Sequence, residues 1–148
     1  MTEAPMHARF GRALWCGALL CGAGLALAAS GDDLADKLAR REIQRSPSSI
    51  EGREIVQVVT EIPPGVESGW HVHPGEEVGY VIAGRIEMRV QGRAAVVLAP
   101  GQGFLIPPHT PHNARDLGPE TGRMLSTYIV ETGRPLATFV DGAPPSPQ

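Results

Sequence analysis

The sequence predicts an all-β domain, and three observations support this class. Apolar and polar residues alternate over several short runs. Glycine or proline stands at nearly every junction between these runs. No segment after the first thirty or so residues carries a long helical period. Short strands at a spacing of about 8 to 12 residues, with turn residues between them, are typical of a sandwich or a barrel.

Six runs predict strands, and two of them carry most of the signal. "REIVQVVTEI" (53–62) ends at Pro-Pro-Gly, which stops a strand and permits a turn. "RIEMRV" (85–90) alternates strictly, so that Ile86, Met88 and Val90 share one face. Its charged residues, Arg85, Glu87 and Arg89, are expected on the solvated face. The other predicted strands are residues 77–83, 94–99, 103–106 and 123–130.

Residues 1–29 predict a secretory signal peptide. A basic start is followed by the apolar run "ALWCGALLCGAGLALAA" (13–29), and "ALA" at 26–28 is a cleavage signal. The protein is therefore expected to be periplasmic or secreted, without stable membrane insertion once the signal is cleaved. The apolar run is near the short limit for spanning a bilayer, which leaves an uncleaved N-terminal anchor as the alternative.

The rest of the chain divides into three parts. Residues 30–50 are predicted as an N-terminal arm, in which Leu34 and Leu38 indicate either a short helical turn capped by Asp32 or Asp33, or a loose arm. Residues 51–140 are predicted as the β-barrel. Residues 141–148, which contain "GAPPSPQ", are predicted as a disordered tail because they are too polar and proline-rich to pack.

Composition excludes several classes of function. Both cysteines lie in the predicted signal peptide, so the mature chain has no disulfide and no thiolate metal ligand. The net charge is −3 for the whole chain, and without residues 1–28 it is −4, from 11 basic and 15 acidic residues. Because no basic patch is present, we do not expect nucleic acid as a partner.

The histidines indicate a metal site. Of five, only His7 lies in the signal peptide, and the other four form two short clusters, His71/His73 and His109/His112. Residues i and i+2 of a strand point to the same side, so His71 and His73 can hold one cation together.

Two further groups can join this pair. Pro74-Gly75 predicts a hairpin whose returning strand brings Glu76 or Glu77 beside the histidines, and the rigid "IPPHTP" segment can bring in His112. Three imidazoles and a carboxylate suit a divalent metal such as iron, manganese, nickel or zinc.

The segment "GVESGWHVHPGEEVGYVIAG" (65–84) resembles the first conserved motif of the cupin family. Its fixed positions are Gly65, His71, His73, Glu77 and Gly84, and only Glu77 leaves six residues before the closing glycine. The short distance to the second motif is similar to that of small single-domain bacterial cupins.

The segment "GQGFLIPPHTPHNARD" (101–116) resembles the second cupin motif, with Gly101, Pro107 and His112 in place. His109 stands at a glycine position, which puts the usual turn geometry in doubt, and Asp116 stands at the asparagine position. We expect His109 to be an exposed turn residue, with a role near the pocket mouth as the alternative.

The resemblance implies a double-stranded β-helix, a metal held by His71, His73, Glu77 and His112, and in many members a homodimer. It also implies a metal-dependent dioxygenase, isomerase or lyase acting on a small molecule. The alternatives are a non-catalytic periplasmic protein that binds a metal or a small ligand, and a barrel with a vestigial site. No separate catalytic residue can be identified.

Four other residues have plainer interpretations. Met88, Phe104 and Tyr128 are expected in the core, with pocket lining as the alternative. Trp70 alternates with the histidines and is expected outside the barrel or at a dimer contact.

Overall fold

The computed structural model describes residues 32–141 as two five-stranded antiparallel sheets. This confirms the all-β class. The first sheet has the order β1-β2-β9-β4-β7 and the second the order β10-β3-β8-β5-β6. The strands are β1 (Ala39–Pro47), β2 (Arg53–Ile62), β3 (His71–Val72), β4 (Gly75–Ala83), β5 (Ile86–Val90), β6 (Val96–Leu98), β7 (Gly103–Ile106), β8 (His112–Asp116), β9 (Gly122–Glu131) and β10 (Thr138–Phe139).

The core lies between the two sheets and follows the alternation of the strands. In β2 and β9 every second residue is buried, as the sequence pattern predicts. Burying one large aliphatic side chain fully contributes about 1.5–3 kcal/mol, so this alternation fixes which face of each strand points inward. One apolar cluster includes Ile62, Val81, Ile86, Met88, Ile106 and Met124, and a smaller one includes Val56, Val58, Tyr128, Val130 and Leu136.

The segment predicted as an arm contributes a strand to the first sheet. A 3₁₀ turn at Asp33–Asp36 is capped by Asp32, whose carboxylate accepts a hydrogen bond from the Leu34 N–H. Leu34 and Leu38 are both buried. After them β1 pairs with β2 through eight of its nine residues, with one irregularity between Glu42 and Gln44.

The expected hairpin around Pro74-Gly75 is wrong. β3 belongs to the second sheet and β4 to the first, so the chain crosses between sheets at this point. The Pro74 carbonyl already accepts a hydrogen bond from Glu131 of β9. Gly75 lies so close to β9 that an added Cβ would be 2.0 Å from the Ile129 carbonyl oxygen. Glu77 therefore faces the histidines across the interior rather than along one sheet.

The outer surface agrees with two of the plainer interpretations. Arg85 is exposed, and Glu87 and Arg89 form an ion pair on the outer side of β5. The Arg89 guanidinium also lies 5.9 Å from the centre of the Trp70 ring, which is half-buried outside the barrel. Within residues 32–141 there is no helix long and apolar enough to cross a membrane. The predicted signal peptide and most of the predicted tail lie outside the described residues and stay predictions.

Candidate metal centre

Three histidines meet at the end of the second sheet. His71 in β3 pairs directly with His112 in β8, and His73 follows β3 on the same side as His71. Their ring centres are 4.1–4.9 Å apart, and each residue is at most 3 % exposed. Each ring offers one nitrogen within 4.8 Å of those of the other two, so the cluster can hold a metal ion.

Backbone carbonyls orient all three rings in the same way. The Nδ1–H groups of His71, His73 and His112 donate to the carbonyl oxygens of Gly69, Leu136 and Thr110, over 2.8, 2.7 and 2.9 Å. In a neutral imidazole this leaves the lone pair on Nε2. Metal-binding histidines are commonly held by such a bond from the other ring nitrogen.

Glu77 enters this cluster from β4 of the opposite sheet. Its Oε2 lies 3.1 Å from His73 Nε2 and 3.2 Å from His112 Nε2. Its Oε1 accepts hydrogen bonds from the hydroxyls of Ser126 (2.6 Å) and Tyr128 (3.2 Å), both in β9. The carboxylate is thus fixed by two donors on one oxygen, and its second oxygen points at two imidazoles.

This arrangement requires positive charge at its centre. Carboxylate and imidazole lone pairs facing each other in a buried space repel unless protons or a cation lie between them. His73 Nε2 is buried without a hydrogen-bond partner. Neighbouring ligands of a metal with bonds of about 2.1 Å lie roughly 3 Å apart, as the Glu77 and histidine atoms do. The residues therefore fit a divalent cation.

The electrostatics of His71 and Glu77 favour a neutral imidazole and an ionised carboxylate, the forms that bind a metal. The pKa of His71 is lowered to about 2, because burial disfavours the charged ring and His112 and His73 add repulsion. Burial alone would raise the pKa of Glu77, but attraction to His73 and hydrogen bonding with His112 outweigh it and hold this pKa well below its usual value. His71 is therefore neutral and Glu77 ionised near neutral pH.

Comparison with known families identifies this domain. Residues 58–128, which include all four of these side chains, match the family model described as a cupin domain. This part of the chain is a cupin domain. Its fold is the double-stranded β-helix predicted from the two motifs.

Individual relatives of this cupin are distant. It is 33 % identical over 84 residues to the polyketide synthase CurC of Streptomyces cyaneus, a match that covers 56 % of this chain and 54 % of that protein. The chain thus spans about half the length of this curated relative.

Two of the solved structures that are similar to it illustrate the relationship. The polyketide cyclase RemF of Streptomyces resistomycificus is 26 % identical with a TM-score of 0.54, over 70 % of this chain and 71 % of that one. A protein with a double-stranded β-helix domain from Klebsiella pneumoniae is 23 % identical with a TM-score of 0.58, over 71 % and 80 %.

The two departures from the second cupin motif have separate explanations. His109 adopts the left-handed backbone conformation of the glycine that it replaces, with φ of 55°. Its side chain is 64 % exposed, and the nearest carboxylate oxygen, on Glu131, is 3.9 Å away. Asp116 is completely buried, and its carboxylate accepts hydrogen bonds from the N–H groups of Gly118 and Gly122. Neither residue takes part in the histidine cluster.

Sequence reasoning missed the residues that position His71. The side-chain oxygen of Asn113 accepts hydrogen bonds from the Gly69 N–H and the Ser68 hydroxyl, each over 3.1 Å. Gly69 in turn supplies the carbonyl that orients His71. Asn113 and Ser68 are both buried. The only sequence signal was the position of Asn113 directly after His112.

A small cavity lies beside the metal cluster. Its volume is about 20 Å³, and three of the four cluster residues line it: His71, Glu77 and His112. The apolar lining comes from Leu34, Leu38, Ile62, Met88, Ala114 and Met124, and the polar lining includes Thr60, Ser68 and Tyr128. Met88 and Tyr128 therefore belong to the core and also line the pocket, whereas Phe104 only packs against the core.

Proposed function

We propose that this cupin is a divalent-metal-dependent enzyme that acts on a small molecule. The observation that carries the proposal is the shape of the metal cluster. His71, His73, Glu77 and His112 would hold the ion, and three of them also face a cavity with apolar walls. A site that is open on one side to an apolar pocket with few polar groups is typical of an enzyme rather than of a purely structural metal site.

The names of the relatives favour isomerase or lyase chemistry over the dioxygenase alternative. One relative is a polyketide synthase and another a polyketide cyclase. Cyclisation and its reverse need an activated carbonyl and a proton transfer. A bound divalent ion would act as a Lewis acid toward a substrate oxygen.

The residues of the chain supply orientation and proton handling. The three carbonyl-bound imidazoles keep their Nε2 atoms directed at the centre. Burial, together with the nearby Glu77 charge, raises the pKa of Tyr128, so its hydroxyl stays protonated and donates to Glu77 Oε1. Glu77 is the ionisable ligand that lines the cavity, and it would have to leave the ion to accept a proton from a substrate there. The apolar walls exclude water and strengthen these interactions.

Metal analysis of untagged protein tests this proposal. We expect about one equivalent of a divalent metal in the wild type, and less than about a tenth of that in His71→Ala, because the variant loses one donor nitrogen and the geometry that it fixes. His109→Ala is the matched control, since His109 lies outside the cluster, and it should keep the metal. A wild-type protein that folds but binds none of iron, manganese, nickel or zinc would refute the proposal.

The small size of the cavity favours a second candidate, a protein that binds a metal without catalysis. At about 20 Å³ the cavity has room for about one water molecule. Water proton relaxation of the manganese(II)-loaded protein separates the two functions. An exchanging water bound to the ion supports the enzyme, and a fully coordinated ion with no such water supports sequestration.

We also propose a homodimer that uses the outer face of the first sheet. Val78, Tyr80, Ile82 and Leu105 are 40–53 % exposed and lie together on the neighbouring strands β4 and β7. A contiguous apolar patch of this kind is typical of a protein contact. Sedimentation should give a dimer for the wild type and for Val97→Lys, and a monomer for Tyr80→Lys. A monomeric wild type would contradict this proposal.

A further inference from the structure

The N-terminal segment closes the cavity beside the metal cluster. Leu34 and Leu38 are 4 % and 5 % exposed and form part of the cavity wall. We call residues 32–38 the lid. With the lid in this position the cavity holds about one water molecule, so no organic substrate fits. If the proposed function is correct, part of the wall must move to admit the substrate.

The lid is the part of the wall that lies outside the paired strands. The remaining apolar lining residues lie in strands that pair with neighbours on both sides. Leu38 packs in the larger apolar cluster with them, but neither Leu34 nor Leu38 lies in a strand. The lid makes one backbone and one side-chain hydrogen bond with the segment around β10. The Asp33 N–H donates to the Ala137 carbonyl at 3.4 Å, and the Asp33 carboxylate accepts from the Phe139 N–H at 3.0 Å. Lys37 lies 4.6 Å from the centre of the Phe139 ring.

One buried ion pair connects the lid to the metal site. The side chain of Arg40, at the start of β1, is 4 % exposed and pairs with the carboxylate of Asp32 in the lid. The same guanidinium donates to the Tyr128 hydroxyl at 3.0 Å and lies 3.4 Å from the Thr60 hydroxyl. Tyr128 in turn donates to Glu77. Arg40 is therefore two hydrogen bonds away from a predicted metal ligand.

Opening the lid removes the carboxylate partner of Arg40. Within residues 32–141, Asp32 is the acidic group that forms an ion pair with this guanidinium. A buried charge that loses its partner is strongly destabilised. Lid opening therefore becomes favourable when another anion replaces Asp32. The planar guanidinium matches a carboxylate best, and it lies beside the cavity, in contact with the lining residues Thr60 and Tyr128. The same cavity has an apolar part formed by Ile62, Met88 and Met124.

We propose that the lid opens to admit a small carboxylic acid with an apolar body, and that Arg40 binds the substrate carboxylate in place of Asp32. The inference rests on the proposed function, which it deepens by naming the substrate class. In the closed state Asp32 occupies the position of the substrate carboxylate. The apolar body would contact Ile62, Met88 and Met124, and the carboxylate would lie beside Tyr128.

Calorimetry with 3-phenylpropanoate and its neutral amide tests the proposal. Each probe is titrated into the full-length protein, both as purified and after metal removal with a chelator. We expect the acid to bind the wild type at least about tenfold more tightly than the amide, because Arg40 distinguishes charge. Arg40→Met should abolish this difference. Arg41→Met, which removes an exposed arginine next to it in β1, should keep it.

The direction in which Asp32→Asn changes the affinity for the acid is the decisive test. A closed lid lowers the apparent affinity for any ligand that needs it open. Removing the internal carboxylate should therefore raise the affinity for the acid by about tenfold or more, and that for the amide by a smaller factor, because only the acid also gains from the loss of the competing carboxylate. Hydrogen exchange of the Lys37 and Leu38 amides, which both donate to the Leu34 carbonyl, should become faster in the same variant.

The outcomes separate this proposal from the metal site. Equal binding of acid and amide, no binding of either, or weaker acid binding in Asp32→Asn would overturn it. This readout does not depend on whether Arg40→Met folds. Because the acid is also measured on metal-free protein, the result holds even if metal analysis refutes the enzyme. A wild type that binds metal but shows no charge preference would overturn only the substrate inference.

Discussion

Two of the buried carboxylates of this barrel, Asp116 and Glu77, differ in what surrounds them. Asp116 is 0 % exposed and Glu77 is 4 % exposed. Each oxygen of Asp116 accepts one backbone N–H, from Gly118 at 2.9 Å and from Gly122 at 3.0 Å. Glu77 has donors on Oε1 only, and its Oε2 faces two imidazole nitrogens. Both oxygens of Asp116 have hydrogen-bond donors within the protein. The Oε2 atom of Glu77 needs an added positive charge, either protons or a cation.

The difference shows that burial of a charge does not by itself indicate function. Asp116 closes the loop between β8 and β9, at a place where the chain is tightly packed. An added Cβ on Gly84, which has φ of 84°, would lie 2.6 Å from the Gly122 Cα. The Asp116 carboxylate supplies acceptors for two backbone N–H groups that would otherwise be unsatisfied. At Glu77 the oxygen without a hydrogen-bond donor, Oε2, identifies the functional site.

The largest expected effect separates the two carboxylates by metal affinity. Glu77→Gln replaces an anionic oxygen that faces the centre by a neutral amide, so metal affinity should fall by about a hundredfold or more. Asp116→Asn should change it less than about threefold, because Asp116 is not in the histidine cluster. Competition with a chromophoric chelator measures both. Equal losses in the two variants would remove the distinction.

The Asp116 carboxylate should matter for stability rather than for metal binding. Asp116→Ala leaves two N–H groups without acceptors and should lower the free energy of unfolding by about 2–4 kcal/mol, while one equivalent of metal is retained. Urea denaturation measures the loss. Glu120→Ala, an exposed acidic residue in the same loop, is the control and should stay within about 0.5 kcal/mol of the wild type.

The sequence could predict where the four cluster residues lie along the chain, but not how they come together. Alternation over β2, β5 and β9 identifies these strands because one face of each is buried. The motif spacing selects Glu77 over Glu76, and the structure places Glu77 inside. The expected hairpin failed because strand pairing across Pro74 depends on the distant strand β9, about which local residues carry no information.

The N-terminal strand and the lid were harder to predict from the sequence. β1 is exposed along nearly its whole length, so its sequence lacks the alternation that marks a half-buried strand. The spacing of Leu34 and Leu38 indicated a turn with one apolar side, and both are buried. That this side covers the metal cluster, and that Arg40 bridges Asp32 and Tyr128, follows only from contacts between residues as far apart as 88 positions.

The smallest expected effect is a pH dependence that belongs to the histidine cluster. In the metal-free protein the pKa of His71 is lowered to about 2, mainly by burial, while in the unfolded chain it is near 6.5. As the pH falls below 6.5, His71 binds a proton in the unfolded chain but not in the folded protein, so the free energy of unfolding decreases. The slope should approach about 1.4 kcal/mol per pH unit between pH 6.5 and 5, above the range in which carboxylates titrate. His71→Asn should lose this slope, whereas Asp116→Asn should keep it at a lower overall stability. Urea denaturation in the presence of a chelator measures all three proteins, and a wild-type stability that stays constant from pH 7 to pH 5 would show that His71 is not held neutral by its surroundings.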